Sequence, residues 1–357
     1  VIVPTRLIPP SPPLLVGRSL PVTSRNGSSP LRPPTGRPYL VGEGDTLLQV
    51  AARFGLSAEA LAVANGLPPT TYLFPGQRLR IPAESAVYRN LPQGWVDVRL
   101  NSAALAQGES LSIYVENLLS GTPAGRFGDQ SLQFAPKDAG YIALVGIDAF
   151  AEPGIYDLEL TGGDERGLWE PVRARLRVAE TAYDTQYVEV GEALDGLLDP
   201  AIRGTEDEFL KGIYDELTEE QRWDGVFQTP LTTTVVSAPY GGRRSYNGGP
   251  IEIYHTGIDY AAATGTTVLA PANGVVVFND LLELRGNVLI IDHGLGVMTG
   301  YYHLSESLVE LGQAVTAGQS IGRVGSTGLS SGAHLHWDLR IRDVPVDPSR
   351  WTQTLFP

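Results

Sequence analysis

The spacing of apolar residues changes character several times along the chain. Over residues 39–82 it is mixed. Tyr39-Leu40-Val41 reads as a short strand, Gly44-Asp45 as a turn with Asp45 as N-cap, and Thr46 to Phe54 as a helical run closed by Gly55. Ser57 caps a second helix with Leu61 and Ala64 on its apolar face. Asn65-Gly66 ends it, and Pro75-Gly76-Gln77 turns into a strand from Arg78 to Pro82. Over residues 87–190 the period becomes two. Val96, Val98 and Leu100 alternate with polar residues, as do Leu111, Ile113 and Val115, and Val172, Ala174, Leu176 and Val178 alternate with three arginines. Tyr141 to Val145 is a more continuous apolar strand, and Glu152-Pro153-Gly154 is a turn. This pattern predicts a small antiparallel sandwich, with Trp95 and Trp169 as packing residues.

Residues 195–223 are acidic and helical in pattern, with a helix start at Thr205 to Glu208 and an end near Glu219-Glu220, which predicts a solvated connector. Over residues 224–357 strands alternate with glycines: Thr267 to Leu269, Gly274 to Phe278, Asn287 to Asp292, Val297 to Tyr302, Ser320 to Val324 and His334 to Ile341. That spacing predicts a compact antiparallel β domain. Residues 1–38 hold ten prolines, five arginines and no acidic residue, a composition that favours an extended, solvated tether.

Composition narrows the chemistry. The 357-residue chain is long enough for two or three domains and has no apolar run long enough to span a membrane as a helix. Its formal charge of −14, from 26 Lys+Arg against 40 Asp+Glu, argues against nucleic acid as a partner. There is no cysteine, so His, Asp and Glu are the strong ligands on offer for a transition metal. All five histidines (His255, His293, His303, His334 and His336) lie in the predicted C-terminal β domain.

Their spacing is suggestive. His255 and Asp259, in an H-x-x-x-D pattern, fall on one face of an extended strand, and His334 and His336, in an H-x-H pattern, do the same on another. Two imidazoles and one carboxylate make up a catalytic zinc site that leaves a fourth position to water. No H-E-x-x-H is present, so an imidazole rather than a glutamate has to handle the proton of the attacking water. Tyr246 and Tyr302 are candidates to donate to a developing oxyanion, and His293 to hydrogen-bond near the site. Gly325-Ser326-Thr327-Gly328 lacks the following Lys and helix of a P-loop and reads as a turn rimming a groove.

Two resemblances sharpen these readings. YLVGEGDTLLQVAARFG, LSAEALAVANGL and LFPGQRLRIP resemble the LysM domain over residues 39–82. That likeness implies recognition of an N-acetylglucosamine-containing polymer, with Gly44, Asp45, Thr46, Leu47, Asn65 and Leu67 around the groove. APYGGRRSYN, HTGIDYAA, APANGVVVF, VLIIDHGLGVMTGYYHLS and STGLSSGAHLHWDLR resemble the lysostaphin-type (LytM) zinc endopeptidases over about residues 224–350. Residues 87–190, notably ALVGIDAFAEPGIYDLEL, resemble the β accessory domain that often precedes that catalytic domain. Position by position, the second likeness implies that His255, Asp259 and His336 bind one Zn2+ per chain and that His303 and His334 are unligated catalytic imidazoles.

The resemblances together imply a multi-domain, mainly β enzyme that cleaves peptide stems or cross-bridges of bacterial peptidoglycan and acts outside the cytoplasm. A leader before residue 1 is compatible with the start at Val1. The alternative is a wall-binding scaffold or amidase activator, or a self-inhibited site. A D-Ala-D-Ala carboxypeptidase type is more distant, because its Glu before the final His is replaced here by Leu335.

Overall fold

A computed structural model describes residues 36–54, 56–68, 70–82, 95–102, 105–117, 121–164, 167–232 and 235–356. The tether expected over residues 1–38 lies outside them as far as residue 35, whereas Gly36–Leu40 is already a strand. That strand pairs antiparallel with Arg78–Pro82, and two short helices, Leu47–Arg53 and Ala58–Asn65, pack beside the pair. The first helix is capped one residue later than expected. Thr46 accepts from the Gln49 N–H and Gln49 Oε1 accepts from the Thr46 N–H, a reciprocal box that stabilises a helix start by about 1 kcal/mol. Asp45 is occupied elsewhere, accepting from the Gly42 N–H at 2.7 Å and the Tyr39 hydroxyl at 2.6 Å. Neither helix is long and apolar enough to cross a membrane.

This unit has its own small core around Val50, Ala51, Leu61 and Ala62, but Leu48 belongs to the next one. There, Trp95–Leu100, Ser110–Asn117, Gly140–Gly146 and Ala135–Lys137 form one antiparallel sheet. A second sheet runs Leu105–Ala106, Val172–Ala179, Gly154–Asp164, Thr122–Phe127, Gln130–Ser131, with Gly167–Leu168 alongside Gly154–Asp164. Their inner faces share Val98, Ile113, Leu160 and Leu176. Trp95 and Trp169 meet edge to face at 5.0 Å, and Trp95 Nε1 donates to the Glu170 carbonyl, so both are packing residues.

Two segments upstream of the C-terminal region reach into it, one from the end of the stretch read as sandwich and one from the stretch read as connector. Thr185–Val188 leaves the sandwich and pairs in parallel with Arg243–Tyr246, which pairs in turn with Ile253–Tyr254. The acidic helix spans Pro200–Tyr214, starting at an Asp199 cap rather than at Thr205. It is docked rather than solvated. Glu206, Leu210 and Tyr214 form a buried stripe at helical spacing. Glu206 accepts from the Leu284 N–H at 2.6 Å, and Tyr214 packs with Val288, Ile290, Met298 and Tyr302. Its charge pattern hid this face, because the acidic Glu206 is one of the buried contacts.

The C-terminal region is organised around an eight-stranded antiparallel sheet. Its order is Val236–Ala238, Gly257–Ala261, His334–Ile341, Val297–Leu304, Gly286–Gly294, Gly274–Leu282, Ala314–Val315, with Val344–Val346 also paired to His334–Ile341. Thr267–Leu269, Ser320–Arg323 and Glu306–Ser307 form a smaller sheet. His293 sits in this body away from the groove described below. Its Nδ1 is 2.7 Å from the Asn273 carbonyl, its Nε2 is 2.8 Å from Thr299 Oγ1, and Phe227 packs on its edge. It is a core hydrogen-bonding residue and not a substrate contact.

Burial pushes the pKa of His293 down to about 4 from an ordinary 6.5, so the unfolded chain takes up a proton before the folded one. The stabilisation from the neutral ring is complete above pH 6.5 and is lost as pH falls toward 4. Between pH 7 and pH 4 the stability advantage of the wild-type chain over His293→Asn should therefore shrink by roughly 3 kcal/mol in denaturant unfolding. Parallel pH curves for the two proteins would contradict a neutral buried imidazole.

Candidate metal centre and active-site groove

Strand alternation puts His334, His336, Asp338 and Arg340 on one side of their strand. Register places Asp259 directly across from His336 on one neighbouring strand and Tyr302 across from it on the other. Strand pairing thus fixes the row Asp259, His336, Tyr302. One step along, Gly257 and Gly300 flank Asp338. A Cβ on Gly257 would collide with the Trp337 carbonyl and stand 2.8 Å from His336 Nε2, so a larger residue cannot sit beside that ring without shifting it.

His255 Nε2, Asp259 Oδ1 and His336 Nδ1 lie 2.8 to 2.9 Å from one another. The Pro239 carbonyl, 2.8 Å from His255 Nδ1, can only accept, so that nitrogen carries the proton and Nε2 presents a lone pair. Burial lowers the His255 pKa to about 4 and keeps the ring neutral near pH 7. Burial works against ionisation of Asp259, but the hydrogen bonds it accepts outweigh it and hold the carboxyl well below the ordinary range. Asp259 Oδ2 accepts from Arg244 Nη2 at 2.9 Å, which leaves Oδ1 aimed at the rings. One proton, on His336 Nδ1, is then all that separates three lone pairs. A divalent cation in its place meets two imidazole nitrogens and a carboxylate oxygen, so the donor set fits a metal ion of the zinc type.

Two more imidazoles flank this centre. His303 has φ of 62°, a left-handed backbone that is uncommon outside glycine and is found at functional sites. Its Nδ1 donates to the Thr327 carbonyl at 2.7 Å, which gives the 325–328 turn a concrete task and leaves Nε2 free. Burial, together with His334 and His336, lowers its pKa to about 3. His334 Nδ1 is 2.8 Å from the Gly332 carbonyl, and its Nε2 lies 3.8 Å from Asp259 Oδ1. The His303 and His334 rings are 4.9 Å apart.

The structure separates the remaining candidates. Tyr246 lines the groove and accepts from Arg244 Nη1 at 3.2 Å. The Tyr302 hydroxyl is turned away, bonded to Tyr214 and Asp338, while its ring stacks on His336 at 4.9 Å; it supports the imidazole and does not face an oxyanion. Asp45, Thr46 and Leu47 line a separate cavity of about 440 Å³, shared with Tyr72 and with Glu159 and Arg173 of the sandwich. Gly44, Asn65 and Leu67 do not line it. Asn65 is bonded through its side chain to the Leu61 carbonyl and to both backbone groups of Arg80, a structural lock.

Two cavities, of about 480 and 260 Å³, share Arg244, Tyr246, His303 and His336, so the centre sits in one continuous groove. Gln186, Val188 and Val190 line the first, together with Leu329 to Ala333. Gln186 Oε1 accepts from Arg244 Nε at 3.2 Å, so a residue of the upstream segment orients the arginine that holds Asp259. Sequence reasoning missed both. The available signal was the i, i+2 pairing of Arg244 with Tyr246 on one strand face.

Residues 253–348 match the profile described as Peptidase family M23, and residues 39–82 match the LysM domain. The chain is 46% identical over 122 residues to the DD-carboxypeptidase/endopeptidase Mpg of Neisseria meningitidis serogroup B, covering 33% of this chain and 27% of that protein. It is 45% identical over 93 residues to the peptidoglycan DD-endopeptidase ShyA of Vibrio cholerae, covering 26% and 22%. It thus spans about a quarter of the length of these curated relatives. A Pseudomonas aeruginosa crystal structure assigned to peptidase M23 shares the fold, with a TM-score of 0.51 and 23% identity over 70% of this chain and 96% of that one. The chain therefore carries a C-terminal domain of peptidase family M23, the lysostaphin or LytM type, and a LysM domain near its N-terminus.

Proposed function

We propose that this chain is an extracytoplasmic zinc endopeptidase that hydrolyses peptide bonds in the stems or cross-bridges of bacterial peptidoglycan, held to its substrate by the LysM domain. The convergence of His255 Nε2, Asp259 Oδ1 and His336 Nδ1 in an open groove, flanked by two unshared imidazole nitrogens, carries this reading. The names of the M23 relatives support a peptidoglycan substrate.

When bound by His255, Asp259 and His336, zinc supplies Lewis acidity that polarises the scissile carbonyl and lowers the pKa of water. The two flanking histidines divide the proton traffic. His303 has its Nδ1 proton committed to Thr327, so its Nε2 faces the groove as an acceptor that orients the attacking water and receives its proton. His334 is half-buried at the groove, with Nδ1 held by Gly332, which leaves Nε2 directed at the groove as the donor to the tetrahedral oxyanion. Arg244 keeps Asp259 oriented through the oxygen that does not face the rings.

The reading is tested by mass spectrometry of cross-linked peptidoglycan fragments incubated with the zinc-loaded full chain, with and without a chelator. Chelator-sensitive cleavage is expected and also identifies the bond. Intact fragments would favour the scaffold alternative. His336→Ala should lose both zinc retention and hydrolysis, whereas His334→Ala should keep most of its zinc and lose turnover by about 100-fold or more. The reverse pattern in metal analysis would exchange the roles of the two histidines. Soluble N-acetylglucosamine oligomers should displace the chain from insoluble peptidoglycan without slowing hydrolysis of a soluble peptide. Inhibition of both would contradict a separate targeting role.

A further inference from the structure

The docked acidic helix brings an unpaired cation to the groove. Arg203 lies one turn before Glu206 on the inward face of Pro200–Tyr214, half-buried, and lines the 260 Å³ cavity together with His255, His303 and His336. Three other arginines line this cavity, and each is neutralised. Arg244 pairs with Asp259, Arg285 with Glu206 and Asp207, and Arg340 with Asp338 and Asp343. The Arg203 guanidinium has no ion-pair or hydrogen-bond partner among the described residues. Glu252, exposed on the same cavity, makes no ion pair with it.

A guanidinium half-withdrawn from water beside a reaction centre has lost hydration without gaining an anion. Its support is rigid, because Glu206 ties the helix to the Leu284 N–H and to Arg285. A planar fork of donors matches a carboxylate in bidentate fashion. The location also matters for a chain of net charge −14, where an anionic substrate needs a cation of its own to meet.

We propose that Arg203 is the carboxylate-binding subsite of the groove, and that the preferred substrate is a peptide with a free carboxylate close to the scissile bond. This rests on the peptidase reading above and adds the determinant of specificity to it. Charge recognition is thereby supplied by a helix outside the residues that match the M23 profile.

The test uses the zinc-loaded full chain and pairs of soluble peptides that differ only in one carboxylate, free or as the carboxamide. The wild type is expected to favour the free acid at one position by about 10-fold or more in KM, with kcat little changed. Arg203→Gln should abolish that preference, and Arg203→Lys should restore part of it. Equal KM for acid and amide in the wild type, or a preference that survives in Arg203→Gln, would overturn the proposal. Calorimetric binding of the same pairs to His334→Ala, with and without Arg203→Gln, gives a readout independent of turnover. If the wild type cleaves neither peptide, the peptidase reading fails, while the calorimetry still decides whether Arg203 selects carboxylates.

Discussion

Asp259 stands opposite His336 across two antiparallel strands, and most of the site depends on that register. His336 is the middle residue of a row whose other neighbour is Tyr302, so the ring is held between a carboxylate on one side and a stacked aromatic on the other. A slip of one residue in either strand would send Asp259 or His336 to the opposite face and dissolve the convergence with His255. The buried Trp337 and Leu335, on the other face of the same strand, oppose such a slip because it would bring their apolar side chains into the polar groove. The hydrophobic pattern that folds the sheet is therefore also what aligns the three donor atoms.

Around this row the protein concentrates buried polar groups that satisfy one another. Tyr214, Tyr302, Asp338 and Arg340 form a network behind the His336 ring, and Gly300 leaves the space that lets Tyr214 approach Asp338. On the opposite side, Gln186, Arg244 and Asp259 form a second chain of contacts. Both reach the site from upstream segments, the first from the acidic helix and the second from the strand that follows the sandwich. The groove is a product of the longer chain, with walls contributed from outside the strands that carry the histidines.

Much of this architecture was legible in the sequence because it depends on local periodicity. Period-two alternation marked the sandwich strands and the His334–Ile341 strand, and the spacing of His255, Asp259, His334 and His336 marked the centre. What remained hidden depends on tertiary contacts. The capping role passed from Asp45 to Thr46 because the Asp45 carboxylate is drawn to Gly42 and Tyr39. The acidic helix read as solvated because the partner of Glu206 is a backbone N–H some eighty positions later, at Leu284. His293 and Tyr302 looked like site residues by type and neighbourhood, but hydrogen bonds to Asn273, Thr299, Tyr214 and Asp338 turn their polar atoms elsewhere. Side-chain direction at such positions is decided by partners far away in the chain, which spacing does not reveal.

Anomalous diffraction at the zinc edge, from crystals of the zinc-loaded full chain, tests the central claim most directly. The account predicts one peak within about 2.0 to 2.2 Å of His255 Nε2, an Asp259 carboxylate oxygen and His336 Nδ1, with His303 and His334 beyond bonding distance. A peak that recruits His334 or His303 in place of His336, or the absence of a peak at this row, would contradict it.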